Sequence, residues 1–279
     1  MKIDLSVYSD KIELNDSIWY SKDRKKISYP ENGNNKCFSI ENDSFWFKHR
    51  NACILAVIKN NFNNSVFFDI GGGNGYVTSH LGNFDIQSVL VEPGLNGVLN
   101  AKNRGVKNII CSTIEDLYLK NNSIKSIGLF DVVEHIENDV EFLKSLHKVL
   151  DFNGQLYITV PTYNLLWSNE DVNAGHFRRY TKKSISKLLN DNGFNVIYSS
   201  YFFSLLPIPI FIFRTIPSFF FSILKINKNA RIEENDHKSK SRFSNFILEK
   251  ICDLELKLMS NNRKIFFGSS CIIFAEKIK

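Results

Sequence analysis

Residues 66–75 read Val-Phe-Phe-Asp-Ile-Gly-Gly-Gly-Asn-Gly. Four apolar residues broken by one Asp describe a strand buried on both faces, as a parallel sheet requires. The glycines behind it make a turn tight enough to bring bare backbone against a ligand. Gly71, Gly73 and Gly75 alternate directly after Asp69, giving D-x-G-x-G-x-G. The dinucleotide fingerprint G-x-G-x-x-G would place Gly at 76, where this chain has Tyr76, and a phosphate-cradling P-loop would end in Gly-Lys-Ser/Thr, which is absent. A Gly-rich turn without phosphate chemistry suits a nucleoside ligand carrying an amino-acid tail.

Short apolar strands and amphipathic helices alternate around this turn, the pattern of a wound α/β sheet. Strands are expected at Val66–Ile70, Ser88–Glu92, Asn108–Ser112, Ile127–Val132, Gln155–Val160 and Phe194–Ser200, with a long last strand over Arg263–Lys277. Ser44 caps a helix reaching about Lys59, Asn138 with Glu141 three residues on opens another, and Thr181 opens a third that ends at Asp191-Asn192-Gly193. The polar stretch 1–43 is expected to be irregular. Residues 44–200 form the core, 201–262 an insertion, and 263–279 return to the sheet.

Within the insertion, Tyr201–Leu224 is nearly all apolar and aromatic but holds Pro207, Pro209, Pro217 and Arg214. A membrane span needs about 20 apolar residues with an unbroken ladder, so short helices forming a lid or lying at a membrane interface are expected instead. Ala230–Arg242 is charged and reads as a loop. Phe243, Phe246, Ile247, Lys250, Ile251, Leu254 and Leu258 repeat at helical spacing and read as a core stripe.

Composition excludes more than it assigns. The 279 residues carry 35 Lys and Arg against 29 Asp and Glu, a net charge of +6 that is scattered rather than clustered. No basic stripe with aromatic platforms marks a nucleic-acid partner. Five Cys without C-x-x-C spacing give no zinc signature, and no metal site is expected. Their odd, dispersed arrangement suits a reducing compartment, and a start lacking a signal-peptide core makes a cytoplasmic protein the default.

Ligands of wound sheets bind beyond the carboxyl ends of the strands. There the first strand brings the Gly turn with Asp69 at its root, the second Glu92, the third Thr113-Ile114-Glu115, and the fourth Asp131-Val-Val-Glu-His135. This ordered set resembles the class I S-adenosylmethionine-dependent methyltransferases over about residues 44–200 plus the final strand. The resemblance implies a Rossmann-like doubly wound, seven-stranded, mostly parallel α/β sheet with an antiparallel last strand and a helical insertion before it. It implies S-adenosyl-L-methionine as cofactor, the turn at Asp69–Gly75 holding its amino-acid end, Glu92 its ribose, Thr113, Ile114 and Glu115 its adenine edge, and Asp131 the floor near the methyl group. Asp131–Ile136 is similar to the fourth motif of the ubiquinone-pathway O-methyltransferases. Phe45–Arg50 and Gly175–Tyr180 are similar to a bacterial subgroup associated with polysaccharide and lipid-linked sugars. Many relatives carry Asp where this chain has Thr113.

The acceptor implied is a small molecule, glycan or lipid-linked compound, methylated at oxygen. Deprotonating a hydroxyl calls for a base, and His135 and His176 are the candidates. Arg178 and Arg179, followed by Tyr180, suit either a carboxylate or phosphate on the acceptor or local salt bridges that fix the loop. A non-catalytic membrane-associated scaffold or regulatory protein keeping the same fold is the alternative.

Overall fold

The computed structural model describes residues 3–22, 33–223 and 242–278. Its centre is β3 (Phe67–Ile70), paired in parallel with β4 (Ser88–Val91) on one side and β6 (Ile124–Phe130) on the other. The chain winds outward through β4 to β5 (Ile109–Cys111), then returns across β3 to β6 and β7 (Leu150–Pro161). The reversal of direction at β3 makes its carboxyl end the switch point of the sheet, the place where wound sheets bind their ligands. Phe68, Val89 and Ile158 fill the core on one face, and Phe67, Tyr157 and Phe274 fill it on the other.

Helix α2 (Phe45–Asn61) is capped by Ser44, whose hydroxyl accepts from the Trp46 N–H. Turn residues then lead through α3 (Tyr76–Gly82) and α4 (Leu95–Asn103), and α5 (Asp139–Val149) is capped by Asn138. Helix α7 (Lys182–Asp191), closed by a reciprocal Thr181–Ser184 box, leads into β8 (Phe194–Phe202). The last strand, β9 (Ser270–Lys277), runs antiparallel between β7 and β8.

Three expectations need correction. Among the described residues the sheet has nine strands rather than seven. The two extra strands lie in the stretch expected to be irregular, where β1 (Ile12–Asn15) and β2 (Ile18–Ser21) form a hairpin whose second strand extends the sheet beside β5. Asp16 and Ser17 both take positive φ at the tip, which matches the right-handed strand twist in a two-residue turn. The same stretch also forms α1 (Gly33–Ile40), packed against α4. Finally, the last strand begins at Ser270, not at Arg263.

Between β8 and β9 the chain is helical. α8 (Pro207–Ile210), a π-turn (Phe211–Thr215) and α9 (Ile216–Ile223) follow one another. Among the described residues no helix is long and apolar enough to cross a membrane. The expected loop over Ala230–Arg242 lies outside the described residues except at Arg242, which starts α10 (Arg242–Ser260). In that helix the stripe is displaced: Leu254 is exposed, while Glu255 and Met259 are buried. Glu255 is drawn inward by His49 Nε2 at 2.8 Å and by the N–H groups of Phe203 and Ser204 at 2.8 and 2.7 Å.

Candidate active site

The turn leaving β3 is built around positive-φ backbone. Gly71 has φ +70, and a Cβ there would meet Val132 Cγ2 at 2.8 Å, so the loop after β6 lies directly against the Gly turn. Gly75 (φ +67) caps α3, and a Cβ on it would meet Ala101 at 2.9 Å. Both demands exclude side chains. Asp69 sits beneath the turn, fully buried, and accepts the Thr78 hydroxyl at 2.6 Å. Its other oxygen, Oδ1, has no hydrogen-bond partner among the described residues.

Glu92 follows β4 and closes on the same turn. Its Oε2 accepts from the Gly73 N–H at 2.9 Å, its Oε1 from the Gly94 N–H at 2.7 Å, and the Asn34 side chain of α1 bonds to it as well. Asn34 is buried and lies in the cradle between Gly73, Gly94 and Gly97. Helix α1 is therefore a wall of this site that the sequence did not reveal. It is fastened by the Asn74 amide to Asn34 O and Glu41, and by Arg104, which pairs with Glu41 and covers the Tyr76 ring at 4.8 Å. A carboxylate held against two N–H groups beside a side-chain-free backbone fits a nucleoside sugar, with the Asn34 amide on the carboxylate that a sugar hydroxyl would use.

Burial pushes the Glu92 carboxyl up to about 7, against the two N–H groups, and the neighbouring Asp69 adds to the rise. Burial also raises Asp69 to about 6, opposed by Thr78 and by the Arg50 charge. An ionised Glu92 is the better acceptor for sugar hydroxyls. Methylthioadenosine, which has the sugar but no titrating amino-acid tail, is therefore expected to bind more tightly as pH rises from about 5.5 to about 8, approaching roughly tenfold per unit below 7. In Glu92→Gln the dependence should flatten, and Asp69→Asn measured alongside separates the second carboxyl. The unliganded protein should move the other way. A raised carboxyl stabilises at low pH and loses that contribution as pH rises through 7, which a melt series would record.

Thr113 does not face an adenine with its hydroxyl free, because Oγ1 accepts from the Asp116 N–H at 3.2 Å. Ile114 is buried beside it and Glu115 is exposed. Asp131, at φ +59, accepts the Thr159 hydroxyl at 3.0 Å and the Arg50 guanidinium at 2.5 Å. Arg50 in turn lies over the Trp46 ring at 5.1 Å.

His135 and His176 come together, their rings edge to face at 4.6 Å between centroids. Burial, then the neighbouring His176, lowers His135 to about 4. His176 Nδ1 meets Asp171 Oδ1 at 2.8 Å. Burial alone would raise the Asp171 carboxyl, yet hydrogen bonds from His176 and Arg179 hold it below its ordinary value. Glu134, between Asp131 and His135 in the chain, is buried with Oε2 unpartnered among the described residues, and burial followed by the Asp131 charge pushes it well above the carboxylate range. Asp171 escaped the sequence reading because nothing in its local spacing distinguishes it from a surface acid, and Glu134, read only as part of the Asp131–Ile136 string, was given no role of its own.

Of the two readings of the Arg pair, the geometry is that of loop fixation. Arg179 binds both Asp171 oxygens, at 2.8 and 2.9 Å, and Arg178 and the Tyr180 hydroxyl share Asp139 Oδ2 at 2.8 and 2.7 Å. Tyr180 and the Arg179 side chain are buried by these contacts and leave little for an acceptor.

A methyltransferase-domain family model matches residues 46–199, and the chain belongs to that family. It is an S-adenosylmethionine-dependent methyltransferase by class, and S-adenosyl-L-methionine is its cofactor. No curated protein matches it. Among solved structures, phosphoethanolamine N-methyltransferase 2 of Haemonchus contortus in complex with S-adenosyl-L-methionine is 15% identical, with a TM-score of 0.53, over 90% of this chain and 58% of that one. The plantazolicin methyltransferase BamL, in complex with a triazolic desmethylPZN analog and SAH, is 16% identical, with a TM-score of 0.51 over 90% and 92% of the two chains. The [4+2]-cyclase SpnF is 14% identical, with a TM-score of 0.51 over 82% and 80%. A cyclase among these neighbours shows that the fold alone does not fix the reaction.

Proposed function

We propose that this protein transfers a methyl group to an oxygen of a small-molecule, glycan or lipid-linked acceptor. The observation that carries this reading is the Glu92 carboxylate against the Gly73 N–H at 2.9 Å, a sugar-binding acid joined to a bare Gly turn. Glu92 binds the ribose, the Gly71–Gly75 turn and Asp69 flank the amino-acid end, and the Thr113–Glu115 backbone borders the adenine. Bound there, the cofactor supplies a sulfonium methyl with a good leaving group. The chain's own residues then align an acceptor and exclude water. His135 and His176 face the acceptor, and Asp171 orients the His176 ring.

The helices over 207–223 roof the acceptor. Ser218 Oγ accepts from the Asn169 N–H at 3.1 Å, tying this roof to α6 (Asn169–Ala174), the helix that carries Asp171. Ile208, Phe213, Phe219 and Phe220 leave it exposed and apolar, which suits the apolar part of an amphiphilic acceptor. The test is a labelled-methyl screen of cell extract split into lipid, glycan and small-molecule fractions. Label is expected in the lipid or glycan fraction, in base-stable ether linkage. Label confined to an amine would overturn the oxygen assignment, and sedimentation with liposomes lacking any acceptor would move the roof's partner to the membrane itself.

A further inference from the structure

We propose that Glu134, His135 and His176 bind one first-row divalent cation of the zinc, cobalt or manganese type. The three residues each offer one ligand atom, and these atoms lie within 4.8 Å of one another. Two backbone segments are locked together to bring them there. Glu134 and His135 stand on the short turn Val133–His135 after β6. His176 stands on the loop after α6, and the Phe177 N–H donates to Glu134 O at 2.8 Å across the join.

Two observations beyond proximity point to a ligand. The Glu134 side chain is nearly fully buried, and its Oε2 has no hydrogen-bond partner among the described residues. Leaving a carboxyl oxygen buried and unsatisfied is costly, and native structures rarely do so without an ion or water. The second is the support behind His176. Its Nδ1 is taken by Asp171, leaving Nε2 as the ring nitrogen for the cluster. Asp171 is itself pinned by both Arg179 nitrogens and by the Ser168 N–H at 2.9 Å. A carboxylate behind an imidazole is the arrangement that fixes the ring of a metal-binding histidine.

The donor set decides the ion. Two imidazoles and one carboxylate suit zinc, cobalt or manganese, whereas magnesium and calcium call for oxygen ligands throughout. Three protein ligands leave a position open, and the site lies beside Val132, which packs on the Gly turn. This role rests on the methyl-transfer reading. An acceptor hydroxyl at the open position would have its pKa lowered and release its proton to water. Its oxygen then forms the C–O bond while the C–S bond of the sulfonium breaks and the electron pair returns to sulfur.

The test uses the full chain, stripped with chelator and titrated with cobalt(II) by visible absorption and with zinc(II) and manganese(II) by calorimetry, without nucleoside. One equivalent is expected to bind, with a cobalt spectrum of nitrogen and oxygen ligation. His176→Ala and Glu134→Gln should each weaken binding by at least roughly 100-fold, and Asp171→Asn by roughly 10- to 100-fold, while His80→Gln leaves it unchanged. If Glu134→Gln fails to fold, paramagnetically shifted imidazole N–H signals of the wild-type cobalt form report the two histidines directly. Absence of stoichiometric binding, or binding retained in a folded His135→Ala/His176→Ala double variant, overturns the proposal. S-adenosylhomocysteine affinity of the stripped protein is measured separately, so failure of the metal site and failure of the methyl-transfer reading are distinguishable.

Discussion

Glu92→Ala is expected to weaken S-adenosylhomocysteine binding by roughly 100-fold while leaving the protein folded. A carboxylate accepting from both ribose hydroxyls contributes about 1.5–3 kcal/mol per bond, and the loss of two, softened by water entering the gap, comes to about 3 kcal/mol. Folding should not suffer in proportion. Burial already pushes the Glu92 carboxyl up to about 7, so its ionised form is a cost to the unliganded protein at neutral pH. Removing it relieves that cost and opens the Gly73 and Gly94 N–H groups to water. Gly73→Arg acts on the other wall. Position 73 has φ +54, which strains any side chain, and a new Cβ would stand 3.5 Å from Asn34 Oδ1 at the rim of the cradle, so an arginine there is set beside the Glu92 carboxylate and its Gly73 contact. Calorimetric titration of both variants decides the matter: affinity retained in both would place the nucleoside elsewhere.

The parts of this site that were legible in the sequence are those set by backbone chemistry. Asp69–Gly75 could only be a strand followed by a tight turn, and Glu92 could be placed at a strand end because Ser88–Val91 is short and bounded by Pro93-Gly94. The N-terminal hairpin was missed because an edge pair of four-residue strands needs few apolar positions. Ile12 and Ile18 are its buried hydrophobic residues among those described. Helix α1 was missed for a different reason. Asn34, Glu41 and Asn74 hold it by polar contacts, which leave no periodic apolar stripe. Long-range pairing is likewise invisible to spacing. Arg50 and Asp131 are 81 positions apart, and His49 and Glu255 are 206 apart. The displaced face of α10 is the sharpest case, since the apolar count favoured Leu254 while hydrogen bonding buried its neighbour Glu255.

That neighbour supports the second large effect. Glu255→Ala is expected to destabilise the fold by about 3–5 kcal/mol, the usual cost of removing one partner from a buried charged network. Its carboxylate accepts from Phe203 N–H, from Ser204 N–H and hydroxyl, and meets His49 Nε2. Phe203 has φ +57, a strained geometry for an aromatic residue, and is kept there by these bonds and by its stack on Trp46 at 5.5 Å. At roughly 2 °C per kcal/mol for a chain of this size, the melting temperature should fall by about 6–10 °C, with altered tryptophan emission as the Trp46 stack loosens. Burial alone would raise the Glu255 carboxyl, yet the hydrogen bonds from His49 and Ser204 hold it below its ordinary value. Its contribution is therefore present above the unfolded-state pKa and lost as pH falls, so the gap between wild type and variant should narrow in acid. A His49→Ala/Glu255→Ala cycle should show strong non-additivity, because either single change already breaks the pair. His49 and Arg50 are consecutive on α2, one gripping α10 and the other Asp131, so loosening the first contact also slackens the second, at the proposed floor of the acceptor site. Turnover should consequently drop further than S-adenosylhomocysteine affinity, since Glu92 and the Gly turn lie on elements that Glu255 does not touch. A melting temperature within about 1 °C of wild type would show that this network contributes little to the fold.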